Sequence, residues 1–291
     1  MTFADMVGRL LEDFSEAARP VDVGSWQGLD IKGDRSKVTW ELRESSLVIG
    51  MPETIEGAQS TISPNLPWAE DHFQERVSGW PHNPPPSNEW WPFIQAGHLD
   101  HLKGGKFSHT YPERFWPKHA GDCHHMTMLD EMGQPTAVDR HGHDGYRQVC
   151  SGRQGIRFEY GDLDDVINRL TKNPMTRQAY LPIWFPEDTG APDGERVPCT
   201  LGYLFMVRDG KLHVTYNIRA CDFMRHFRDD VYMAIRLGQW VRDELPIAVE
   251  MGELTMHISS FHIFEGDRAM VEHLRRQDHV QRSVRLREAL G

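Results

Sequence analysis

The chain has 291 residues, 39% of them hydrophobic and 26% charged, proportions ordinary for a globular fold that buries a substantial core. A formal net charge of −11 excludes a sequence-independent nucleic-acid binder, which needs a basic footprint, yet allows a few local arginines to hold one phosphate. No apolar run reaches the length of a membrane span, and Met1-Thr2-Phe3-Ala4-Asp5 lacks the basic flank and apolar stretch of a secretory leader. A cytoplasmic location is expected, and with it free thiols at cysteines 123, 150, 199 and 221.

Along the chain, residues 3–18 carry Phe3, Met6, Val7, Leu10, Leu11 and Phe14 at helical spacing with acids between them. Residues 38–42 and 46–49 read as two short strands around a charged turn. Pro67 introduces a helix over 68–77, since a proline suits the first helical turn. Residues 79–106, with Pro84-Pro85-Pro86 and Gly104-Gly105, read as a long surface loop. Residues 162–171 place Leu163, Val166, Ile167 and Leu170 on one face of a helix, and 179–185 reads as a strand. Strands at 199–207 and 211–219 are joined by Arg208-Asp209-Gly210, a hairpin signal. A long apolar helix at 231–245, an alternating strand at 253–264 and a charged helix at 272–290 follow. Interleaved helices and strands with one hairpin predict a sheet that is not purely parallel.

The chemistry concentrates in Arg196-Val197-Pro198-Cys199-Thr200 and Asn217-Ile218-Arg219-Ala220-Cys221-Asp222. Cys199 is a candidate thiol nucleophile, and Arg219 a cation that would hold an anion and lower the thiol pKa. Around them stand Asn173-Pro174 leading to Thr176-Arg177-Gln178, Trp184, Asp209-Gly210-Lys211-Leu212, Gly252-Glu253-Leu254 and Ser260-Phe261-His262-Ile263-Phe264. In this order, over roughly a third of the chain, they resemble the thymidylate synthase family.

The resemblance implies one α+β, thymidylate synthase-like domain over residues 1–291, with a loop-rich insertion around 79–160. It implies a large mixed β-sheet flanked by helices and a homodimer formed through the sheet. Cys199 would attack C6 of a pyrimidine nucleoside monophosphate, and C5 would take a one-carbon unit from 5,10-methylenetetrahydrofolate. Arg219 would serve both the phosphate and the thiolate, and Arg177 the phosphate of the neighbouring subunit's nucleotide. Gln178 stands where the family has a second arginine; Arg35 matches an early phosphate arginine. Asp222 would hold the pterin ring, since a carboxylate accepts from two adjacent ring N–H groups. Glu70, or Glu75 one turn further on, would organise water and protons near the base, and Tyr111 would assist removal of the C5 proton. Ordinary readings stand beside these roles: a turn aspartate at 222, a core aromatic at 111, and solvated acids at 70 and at 229–230.

Eight residues beyond Asp222 lies Asp230, where thymidylate synthases have asparagine. A carboxylate accepts from the 4-amino group of cytosine and, sharing a proton, donates to N3, whereas it repels a uracil O4. Ala220 replaces a serine and Phe264 a tyrosine, which makes room beside the sugar, where His262 remains; a ribonucleotide is therefore admissible. Thr200 replaces a histidine, and residues 281–291 look unsuited to closing a dry site, so water capture would leave a hydroxymethyl group. The expected activity is 5-hydroxymethylation of CMP, dCMP or both. C5 methylation of dCMP or dUMP and a catalytically silent nucleotide-binding relative are the alternatives. Cys123, His124, His125, His141, His143 and Cys150 fit no standard zinc spacing, and no metal, nucleic-acid or membrane partner is expected.

Overall fold

A six-stranded sheet organises the protein. The computed structural model describes residues 2–26, 29–93, 102, 105–118, 128–129, 135–136, 147–148, 161–191 and 196–290. In chain order the main elements are α1 (Phe3–Glu16), β1 (Arg19–Val21), β2 (Thr39–Gly50), α2 (Ile55–Ile62), α3 (Trp68–Val77) and α4 (Tyr111–Phe115). They continue with α5 (Leu163–Lys172), β3 (Ala179–Pro182), β4 (Thr200–Arg208), β5 (Lys211–Asp222), α6 (Phe227–Glu244), β6 (Glu250–Phe264) and α7 (Arg268–Leu290). The spatial order is β1-β2-β6-β5-β4-β3. Among the described strands only β5 and β6 pair in parallel, and α6 supplies the crossover that a parallel pair needs. The expected mixed sheet with flanking helices is the observed α+β fold.

The apolar stripe of α1 is the one its spacing predicts: Phe3, Met6, Leu10, Leu11 and Phe14 are buried. Phe14 meets Phe223 at 4.9 Å and Phe261 at 5.2 Å, which ties the first helix to the ends of β5 and β6. Asp209 and Gly210, at φ 52° and 74°, make the left-handed turn between β4 and β5. One expectation is corrected. Residues 39–50 form one strand, not two, paired with β6 from Thr39↔Phe264 to Gly50↔Glu253 without a register shift. Glu44 takes φ 54° where the charged turn was expected, and the long ladder offered by β6 absorbs it as a local kink.

One sheet face carries Leu212, Val214, Tyr216 and Ile218 of β5 and Leu254, Met256 and Ile258 of β6 into the core. The opposite face presents Val48, 52% exposed, and the exposed His257 beside half-buried Leu204, Met206, Thr215 and Thr255. No described helix is long and apolar enough to cross a membrane.

Candidate active site

Regular alternation along β4 buries Val207, Phe205 and Tyr203 and would turn Leu201 inward next. Instead the register against β5 slips between Asn217↔Gly202 and Ile218↔Thr200, a bulge that turns Thr200 inward, fully buried. Glycine is required beside the slip: a Cβ on Gly202 would come within 2.3 Å of the Tyr180 hydroxyl and 2.7 Å of the Leu181 carbonyl. Cys199 sits immediately before the bulge, half-buried.

Arg219 fixes the approach to Cys199. Its backbone N–H donates to the Cys199 carbonyl at 2.9 Å, its Nε to Pro198 O at 2.9 Å and its Nη2 to Val197 O at 3.2 Å. Ser108 Oγ donates to Arg196 O at 2.8 Å, and His109 Nδ1 lies 3.1 Å from the same carbonyl. The expected lowering of the thiol pKa by arginine is present but outweighed. Although Cys199 keeps some accessible surface, dense packing around Sγ pushes the thiol above its usual range; Arg219 and Arg196 pull the other way and Asp230 adds to the rise.

Tyr111, the first residue of α4, comes to the same place. Its hydroxyl lies 3.1 Å from Thr200 Oγ1, which lies 2.9 Å from the Tyr216 hydroxyl, forming a chain of three hydroxyls beside the thiol loop. Burial pushes the Tyr111 and Tyr216 phenols up, so both stay protonated at neutral pH.

Asp229 and Asp230 open α6 and part company. Asp229 accepts from the backbone and side-chain N–H groups of Asn65, both at 2.8 Å, and so anchors the turn before α3. Asp230 faces the β5 end, where Cys221 Sγ donates to its Oδ2 at 3.5 Å. Burial pushes the Asp230 carboxyl up to about 7, against the opposing charge of Arg76. The folded state therefore holds a proton that the unfolded chain releases near 3.8. This contribution to stability is complete below about pH 4 and lost as pH rises through about 7. Asp230→Asn should gain a few degrees in Tm over the wild type between about pH 5 and pH 8, read as the difference of two thermal melts. Taking the difference removes Asp162, whose carboxyl burial raises to about 6.

Asp222 ends β5 as a turn aspartate. Its Oδ1 accepts from the N–H groups of Met224 and Arg225 at 2.9 and 3.1 Å, and its Oδ2 from Arg225 Nη1 at 3.0 Å, leaving part of its acceptor capacity. Next to this turn, the His226 ring stacks on Trp91 at 5.7 Å and meets Phe93 edge-on at 5.4 Å. His262 and Phe264 lie 5.6 Å apart at the end of β6, with the Arg225 guanidinium 5.2 Å and Lys37 Nζ 5.5 Å from the Phe264 ring. The turn bearing the exposed Arg35 packs against residues 265–267 of the same corner. Ala220 pairs across with Ser260, whose hydroxyl donates to Glu41.

Two acids are spent on the scaffold. Glu70 pairs bidentately with Arg236, both contacts at 2.9 Å, and accepts from the Tyr232 hydroxyl at 2.6 Å. Glu75 accepts from Ser87 N at 2.6 Å and Ser87 Oγ at 2.5 Å. Glu70→Gln leaves the buried Arg236 without its counter-charge and should cost about 3 kcal/mol in urea unfolding. If activity fell with stability unchanged, the scaffold role would be wrong.

Arg177 is exposed on the loop between α5 and β3, beside a concavity of about 550 Å³ lined by Asn173, Met175, Thr176, Arg177 and Gln178. Gln178 Oε1 accepts from Arg169 at 2.8 Å, which brings a second guanidinium to this loop. The cluster Cys123, His124, His125, His141, His143 and Cys150 lies outside the described residues, among which no three His, Cys, Asp or Glu side chains gather to hold a metal.

Sequence reading missed three participants: Arg196, the Trp91–His226 stack and Arg76. Arg76 had a signal. With Ala69, His72, Phe73 and Val77 it occupies the buried stripe of α3, a charge where the helical period calls for an apolar residue.

The fold is that of a solved thermostable thymidylate synthase A from Bacillus subtilis, at a TM-score of 0.60 over 95% of this chain and 84% of that one, with 13% identity. The family profile described as thymidylate synthase matches residues 95–289. A protein of Methanosarcina barkeri, named provisionally as a thymidylate synthase, is 30% identical over 160 residues, 50% of this chain and 71% of that one. A Methanothermobacter thermautotrophicus protein with the same provisional name is 32% identical over 129 residues, 40% of this chain and 56% of its own length. The chain belongs to the thymidylate synthase family, and with it to the one-carbon transferases that act on pyrimidine nucleotides.

Proposed function

We propose that the protein is a cytidylate 5-hydroxymethylase that converts CMP, dCMP or both using 5,10-methylenetetrahydrofolate. The observation that carries this reading is the placement of Asp230, whose Oδ2 meets Cys221 Sγ on β5 two residues from Arg219, and whose carboxyl burial raises to about 7. One oxygen would accept from the 4-amino group, and the shared proton would go to N3. Cys199 would lose its proton and bond to C6. The C5–C6 π pair would then shift toward C4 as N3 takes the proton, which makes C5 the nucleophile.

The cofactor, when bound, supplies a one-carbon unit at the formaldehyde level of oxidation. Asp222 with its remaining acceptor capacity, and the flat faces of Trp91, His226 and Phe93, suit a bicyclic aromatic ring with adjacent N–H donors. The hydroxyls of Tyr111, Thr200 and Tyr216 support water capture, since they offer a water molecule donors and acceptors beside C5. C5 would bond the one-carbon unit and give up its proton with Tyr111 assisting, and the carrier nitrogen would leave with a proton. Water would then add its hydroxyl to the exocyclic methylene and its proton to the ring, and the Sγ–C6 bond would break to release the thiolate and restore the C5–C6 double bond.

Ala220 and Phe264, both without hydroxyls, support room for a 2′-hydroxyl, with His262 and Arg35 at the same corner for sugar and phosphate. The incompletely covered sheet face supports a homodimer through the sheet, with Arg177 serving the nucleotide phosphate of the other subunit. The names of the archaeal relatives favour a second reading, C5 methylation of uridylate.

Incubation with methylenetetrahydrofolate and CMP, dCMP or dUMP, with products read by mass spectrometry, separates the two. A CH2O adduct on a cytidylate is the expected result. A CH2 adduct would overturn the hydroxymethyl assignment, and turnover of dUMP alone would overturn the cytosine assignment.

A further inference from the structure

Trp68, His72 and Arg76 fall four residues apart on one face of α3. His72 stacks on Trp68 at 5.1 Å and meets the Tyr111 ring edge-on at 6.4 Å. The Arg76 guanidinium lies over the Tyr111 ring in the same group, its Cζ 4.0 Å from the ring centroid. Arg76 is only 4% exposed, yet its Nε–H donates to nothing, and no ion pair holds it among the described residues. The Trp68 indole N–H is likewise buried without an acceptor.

A buried guanidinium whose Nε–H lacks an acceptor is costly and calls for an explanation beyond packing. Its charge acts on Tyr111, Tyr203, Asp229 and Asp230, and on Asp230 it is the largest influence opposing burial. Asp229 is already spent on Asn65. Arg76 packs on Tyr111, whose hydroxyl joins Thr200 and, through it, Tyr216 of β5, and Asp230 meets Cys221 further along the same strand. No hydrogen bond joins Arg76 to Asp230, which leaves a donor fork and an acceptor toward one end of β5. Contact with the Tyr111 ring restrains the fork, and a planar ligand with two adjacent acceptors would suit it.

We propose that Arg76 is a further base-recognition residue, whose guanidinium donates to the adjacent O2 and N3 acceptors of a cytosine while Asp230 accepts from the 4-amino group. The proposal rests on the cytidylate reading and changes one part of it: N3 is served by Arg76 and not by a proton borrowed from Asp230. Uracil carries N–H at position 3, which would point at the fork, so Arg76 also discriminates against it. As negative charge builds on N3 during attack at C6, the same contact strengthens.

Calorimetric binding of CMP and of UMP to the wild type, Arg76→Met and Arg76→Lys, with a thermal melt of each, tests the proposal without the cofactor. The expected result is a loss of CMP affinity of at least about tenfold in Arg76→Met, with UMP affinity unchanged or improved, and partial recovery of CMP in Arg76→Lys. Equal loss for both nucleotides would make Arg76 structural and overturn the proposal. Unchanged CMP binding in a folded Arg76→Met would overturn it while leaving the cytidylate reading intact. A wild type that binds UMP and not CMP would overturn both. Should Arg76→Met fail to fold, Arg76→Lys decides, because a point charge cannot reproduce the two-pronged contact: a CMP loss no larger than the UMP loss would overturn the proposal.

Discussion

Cys199→Ala should abolish product formation, by more than about 10³-fold, while the folded protein still binds nucleotide. The other described thiol cannot replace it. Cys221 is buried, its Sγ donates to Asp230, and burial pushes its thiol well above the usual range. The Cys199 thiol is itself held up by its surroundings, so the resting protein carries less thiolate at neutral pH than a free cysteine would. Iodoacetamide should therefore label Cys199 slowly near pH 7, and faster as pH rises, with no such labelling at this position in Cys199→Ala. Peptide mapping after alkylation reads both parts. Rapid labelling at neutral pH would mean that Arg219 and Arg196 outweigh burial.

Asp230→Asn should lower turnover of cytidylate by about 10²- to 10⁴-fold and raise that of uridylate. An amide can present a donor to O4 and an acceptor to N3–H, the pattern of uracil, whereas the carboxyl suits a 4-amino group. Arg76 stays in place in this variant, and its fork would oppose N3–H, so the gain on uridylate should be smaller than the loss on cytidylate. Parallel assays with CMP, dCMP and dUMP measure the exchange. A variant that kept its cytidylate preference would remove Asp230 from base reading.

Much of the scaffold was legible because its cues are local. The stripe of α1, the Asp209-Gly210 turn and the alternation of β5 and β6 each follow from spacing and turn chemistry within a few residues. The strand over 39–50 was misread for a complementary reason. Glu44 and its charged neighbours look like a turn, and only pairing with β6 on either side carries the strand past the kink at Glu44.

The site divides in the same way. Cys199, Arg219, Asp222 and Asp230 could be named because their order along the chain matches a family pattern, and order is a property of sequence. Their state could not. Whether Cys199 rests as thiol or thiolate depends on how densely the pocket packs, and the neighbouring arginines lose to that burial. Asp229 and Asp230 are chemically identical neighbours; the helix turn separates them, one to Asn65 and the other to the thiol pocket. Glu70 became a counter-ion because α6 brings Arg236 to it across 166 positions of chain. Arg76 shows the limit most clearly: a charge in an apolar stripe is visible in the sequence, but that its Nε–H has no partner beside Tyr111 is decided by tertiary packing alone. Sequence thus determined the family, the candidate nucleophile and most elements, since these rest on local pattern. The ionisation, pairing and orientation of the site depend on groups distant in the chain, and only the tertiary structure decided them.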